Sequence, residues 1–134
     1  MERTVGAVAR YLVGVSAFAI VYALLAYAGY ALVPGVAKVT PIWLPAALAL
    51  AVLLVHGLRY WPGAFVGPLL FSAAIDVPMP VALASCTGNL VAAVLGVLLL
   101  QRARFDLAMN HFRDGVCLIF LGAVIPNLAG AAIG

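Results

Sequence analysis

The sequence predicts an all-α integral membrane protein, a bundle of about five transmembrane helices with its N-terminus in the cytoplasm. Three observations predict it. First, 67% of the residues are hydrophobic and 8% are charged, with a mean hydropathy of +1.23. Soluble domains carry roughly 25% charged residues, so too few polar side chains are present to coat a water-facing surface. Second, the apolar residues come in runs of spanning length. A helix rising ~1.5 Å per residue crosses ~30 Å of hydrocarbon in ~20 residues, which leaves a chain this short no room for a soluble catalytic domain. Third, the basic residues alternate in side. Arg3 and Arg10 at the N-terminus, Arg59 in the second turn, and Arg102, Arg104 and Arg113 in the fourth fall on one side, against Lys38 alone on the other. Short cytoplasmic loops are rich in Lys and Arg, which puts the N-terminus inside. At a net charge of +3 these arginines end apolar segments and form no stripe, so no nucleic-acid partner is expected.

The first helix is expected over about 11–33, after the polar start MERTVGAVAR. It is too long for a secretory signal core and lacks a clear small-residue cleavage site, so it is read as retained. In PGVAKVTP, Pro34 and Gly35 end it and Pro41 opens the second helix, 42–58. The third, 62–75, is interrupted by Gly67 and Pro68 and stops at DVPMP. The fourth covers 81–100. After the polar stretch QRARFDLAMNHFRD the fifth covers 115–134, and the tail LAGAAIG carries neither flanking charge nor an aromatic belt. The whole chain is expected to be one transmembrane domain, and its abrupt end suggests a fragment.

HGLRYWPG, between the second and third helices, reads as an inner turn. Gly57 ends a helix without a Cβ penalty, Arg59 faces the cytoplasm, Trp61 sits at headgroup depth beside Tyr60, and Pro62 then Gly63 open the next helix. His56 is read as bonding locally. Small residues four apart form ridges for close helix approach: Gly63 and Gly67, then Gly88, Ala92 and Gly96, then Gly122, Gly130 and Gly134. Such ridges serve packing within one chain or between two copies of it in a homodimer.

Polar side chains at membrane depth are costly unless paired or used. Asn89 lies roughly 12 Å from the outer start of its helix and Asn127 roughly 18 Å from the inner start of its own, which brings both to one level. They are expected to face the bundle interior, with Ser85 and Thr87 in the same outer half, as interhelical hydrogen bonds or as an outward pocket for a small polar ligand. Asp76 ends the third helix, as a solvated cap or a ligand contact. Asp114 sits at the start of the fifth helix, favourable for its dipole, near His111 and Arg113. Cys86 and Cys117 fall inside apolar runs as small hydrophobes, with no disulfide expected. The sequence holds no phosphate-binding loop, no histidine pair at metal spacing and no nucleophile beside a base, so neither enzyme activity, a metal nor a cofactor is expected.

VTPIWLPAALALAVLLVHGLRYWPGAFVGPLL, followed by GNLVAAVLGVLLLQR, Phe105, Leu107 and RDGVCLIFLGAVIPNLAGAAIG, resembles the MASE1 family of bacterial membrane-associated sensor domains in order and spacing over about 39–134. Ala47 and Ala92 stand where that family often has a glycine and an acidic residue, so the resemblance passes on no polar ligand contact at position 92. The resemblance implies the N-terminal part of a longer sensory input module in a bacterial inner membrane, which passes a stimulus to a cytoplasmic output, a histidine kinase or a cyclic-dinucleotide enzyme. The residues alone also suit a substrate-binding membrane component of a small-molecule transporter, or a structural assembly subunit.

Overall fold

Charged side chains do not stop the first helix. Its backbone bonds are internal, so α1 spans Glu2–Ala31 and takes in Arg3 and Arg10 as well as the apolar run. The computed structural model describes residues 2–32, 44–108 and 111–133. The PGVAKVTP loop with Lys38, the start of the second run at Ile42 and the final Gly134 lie outside the described residues. The remaining helices are α2, Leu44–His56; α3, Trp61–Ala74; α4, Met79–Arg102; and α5, Phe112–Ala131. No strand occurs among the described residues.

Three of these, Thr4–Ala31 within α1, α4 and α5, are long and apolar enough to cross a membrane. The other two are shorter. As described, α2 has 13 residues and α3 has 14, which at ~1.5 Å per residue reach only about 20 Å of a ~30 Å core. Two apolar runs that the sequence counts among its spans therefore form shorter helices in the described residues.

The principal packing pairs are α1 with α2, α2 with α4, α4 with α3, and α3 with α1. These four helices thus stand in a ring in the order α1, α2, α4, α3, with α5 outside it against α4. The ring closes on Phe18, Tyr22, Ala49, Leu53, Ala64, Ala93 and Val97. Its walls approach closely because glycines face their neighbours. A Cβ on Gly67 would lie 2.7 Å from that of Tyr22, and one on Gly130 would lie 2.7 Å from the Gly88 carbonyl oxygen. Gly63, Gly67, Gly88, Ala92, Gly96, Gly122 and Gly130 are all buried within one chain, so the small-residue ridges are occupied by intramolecular packing.

Helix ends carry their own chemistry. α3 stops where Asp76 adopts φ 55° and the Val77 N–H donates to the Ser72 carbonyl at 3.0 Å, a left-handed cap usually given to glycine. α4 stops the same way, with Arg104 at φ 52° and Phe105 donating to Leu100 at 3.0 Å. Within α5, Pro126 has no N–H for the carbonyl four residues earlier. The helix winds wider over Leu118–Val124 just before it, and the Ile125 N–H reaches back five residues to Phe120.

Candidate functional site

Because α5 packs on α4 while α3 packs on the other flank of α4, a cleft opens along α4 between them. It is about 570 Å³ and is lined by α3 from Pro68 to Ile75, by Val77, by one face of α4 from Val81 to Ala92, and by Asn127, Gly130 and Ala131 of α5. The cleft brings together Asn89 and Asn127, from helices joined only through the long polar stretch, and adds Ser72 and Ser85. None of the lining residues carries a charge.

The expectation that both amides face the bundle interior is met only in part: Asn89 is half-buried, whereas Asn127, on the helix outside the ring, is exposed. Ile75, Val77, Val81 and Ala131 sit toward the α3–α4 turn and the end of α5, whereas Asn89 and Asn127 lie farther along their helices toward the ring. Behind the two amides is a void of about 20 Å³, bounded by Tyr22, Leu50, Ala93, Gly122 and Pro126 among others. That is room for one water molecule and nothing larger. The Asn127 amide donates to the Ala123 carbonyl at 2.8 Å, which leaves its oxygen and one N–H available. Among the described residues the Asn89 side chain makes no hydrogen bond, so its full amide faces the cleft and the void.

The other residues singled out by sequence lie elsewhere. Thr87 is exposed and its hydroxyl donates to the Leu83 carbonyl at 2.8 Å, bonding back along its own helix. Asp76 is exposed and shapes the α3 terminus, without lining the cleft. Ser72, 7% exposed, was not singled out by the sequence. Four residues before Asp76 in an apolar run, it carries no signal beyond its polarity.

HGLRYWPG forms a separate feature, a clasp on α1. Gly57 has φ 89° and ψ 164° and opens a short 3₁₀ turn, Leu58–Tyr60. The Tyr11 hydroxyl donates to the Arg59 carbonyl at 2.7 Å, and the Tyr11 and Tyr60 rings meet edge-on at 5.6 Å. Tyr60 rests where Gly14 lacks a side chain, with its hydroxyl 2.9 Å from where a Cβ would stand. Trp61 remains 50% exposed, Arg59 is exposed, Pro62 takes a first-turn position, and Gly63 is buried against Phe18. His56 stacks at a tilt on Tyr60, 5.4 Å between centroids.

At the start of α5, Asp114 is 2% exposed and accepts the His111 backbone N–H at 3.3 Å. Among the described residues no three His, Cys, Asp or Glu side chains converge as a metal site would require. Cys86 and Cys117 are both free thiols.

The MASE1 family profile matches residues 14–134, reaching into α1 well before the motifs that carry the resemblance in sequence. No curated protein and no solved structure matches the chain.

Proposed function

The chain belongs to the MASE1 family of membrane-associated sensor domains, and from that premise we propose that it is the membrane-embedded input of a bacterial signal-transduction protein. In this reading it crosses the inner membrane with its N-terminus and Arg-rich turns in the cytoplasm. The stimulus acts at the α3–α4–α5 cleft, and the response passes to a cytoplasmic output, a histidine kinase or a cyclic-dinucleotide enzyme. The family match over 14–134 carries the proposal.

The cleft supports a mechanism. It is bounded on one side by α5, which packs chiefly on α4, so a molecule bridging Asn89 and Asn127 would favour one α4–α5 packing over another. A signal requires only such unequal binding to two packings. Beside the amides the space narrows to about 20 Å³, too little to pass a solute, which suits a receptor better than a passage.

Membrane fractions of the native host, probed with an antibody to residues 1–10, test the proposal. A product well above 13.9 kDa that contains an output enzyme supports it. A product at that mass with no kinase or cyclase bound to it overturns it.

A further inference from the structure

We infer that the cleft takes an uncharged amphiphile, a short-chain molecule whose head both donates and accepts hydrogen bonds, with the head seated on Asn89 and Asn127 and the chain along the apolar end of the cleft. The inference rests on the sensor reading for what binding accomplishes, and on the cleft alone for what is bound.

Charge decides the class of head. No Lys, Arg, His, Asp or Glu lines the cleft, so an ion carried to the depth of Asn89 would meet no counter-charge, an expensive arrangement away from water. The amides decide its chemistry. The Asn127 amide spends one N–H on the Ala123 carbonyl and keeps an oxygen acceptor and one donor. The Asn89 amide has no partner among the described residues and offers two donors and an acceptor. A head that only accepts or only donates leaves half of these groups unsatisfied, whereas an amide or a hydroxyl satisfies both kinds.

The order of side chains decides the orientation. Ile75, Val77, Val81 and Ala131 line one end of the cleft, near the α3–α4 turn and the end of α5, Ser72, Ser85 and Phe71 line its middle, and the two amides line the other end, Asn89 half-buried and Asn127 exposed. A polar head seated on the amides therefore leaves its chain against the apolar end. The void behind the amides admits only a water molecule, so the head stops at Asn89 and Asn127. The space of about 570 Å³ accommodates a head and a short chain together.

The test uses the purified chain in phosphatidylcholine nanodiscs at pH 7 with three probes of equal chain length: octanamide, octanoate and octylammonium. Calorimetric titration is expected to show saturable binding of octanamide, weakened at least tenfold by Asn89→Leu and by Asn127→Leu and unchanged by Thr87→Val, which lies outside the cleft. Neither ion should show a saturable component. Asn89→Asp, nearly isosteric, is expected to gain octylammonium binding, a result that does not depend on the leucine variants folding. Equal uptake by the wild-type chain and both leucine variants, or saturable octanoate binding to the wild-type chain, would overturn the inference. Because no output enzyme takes part, that failure would leave the sensor reading standing. A native product of 13.9 kDa without an output enzyme would remove the sensor reading and leave the binding result untouched.

Discussion

Gly130→Ala isolates the contact that sets the width of the cleft. The new Cβ would stand 2.7 Å from the Gly88 carbonyl oxygen and 2.9 Å from the Ala92 Cβ, where ordinary contact begins at 3.4 Å. The first neighbour is backbone on a packed helix, so relief requires moving α5 off α4 by about 0.7 Å. Overpacking of this kind costs ~1–3 kcal/mol. Replacing glycine by alanine also favours a helix by ~1 kcal/mol, and that gain must be removed to see the clash. Gly115→Ala serves as the reference. It lies on the same helix, and a Cβ there has nothing within 4 Å. In reversible SDS unfolding in mixed micelles, Gly130→Ala is expected to be less stable than Gly115→Ala by ~1–3 kcal/mol, roughly a 5- to 150-fold change in the folding constant. Equal stabilities for the two variants would refute the claim that Gly130 seats α5 on the Gly88 backbone.

Substitutions at three further positions probe the turn that clasps α1 and the start of α5. Gly57→Ala meets no atom within 4 Å, yet φ is 89°, so its expected cost of ~1–3 kcal/mol is entirely backbone strain; unchanged unfolding would show that the turn re-forms without positive φ. Tyr11→Phe removes the 2.7 Å bond to the Arg59 carbonyl and is expected to cost ~0.5–1.5 kcal/mol. Tyr11→Ala should cost more, because it also loses the ring contact with Tyr60. Asp114→Ala deprives the His111 N–H of its acceptor and is expected to destabilise the start of α5 by ~1 kcal/mol. Hydrogen exchange should then quicken at residues 111–115, and unchanged exchange there would count against the cap.

What the sequence made legible was chemistry that acts locally. Helicity and spanning length follow from composition and from runs of apolar residues, and α1, α4 and α5 have both the length and the hydropathy. Gly57 could be picked out because an eight-residue stretch combining Gly, Pro and aromatics has few ways to be folded. The end of α3 could not be read the same way, since Asp76 takes a left-handed φ that sequence rules reserve mainly for glycine; Arg104 does likewise at the end of α4. Nor does the sequence announce that Tyr60 turns onto α1, because an aromatic beside Trp61 and Arg59 fits a headgroup belt equally well. The partner that draws it in is Gly14, 46 positions away by residue number. The wider winding over Leu118–Val124 is another case. Pro126 signals that one bond must be lost, and only the packing of α5 on α4 determines how the helix adjusts.

The candidate site shows why depth was readable and direction was not. Counting residues from a helix end gives depth, because the rise per residue is fixed at ~1.5 Å, and depth alone suggests pairing Asn89 with Asn127. Direction depends on rotation about the axis, roughly 100° per residue. Thr87 and Asn89 lie two residues apart, so they point about 200° apart, and only one of them can face a given groove on α4. Hydropathy cannot say which, since α4 is apolar nearly all round. The choice is made by where the small residues let neighbours approach. Gly88 and Ala92 receive Gly130, which fixes α5 against that side of α4 and turns Asn89 toward Asn127. Thr87 is left outside the cleft, bonded to its own helix. The glycine ridge and the amide pair are therefore one arrangement, and a substitution on the ridge should alter ligand contact at the amides without touching either asparagine.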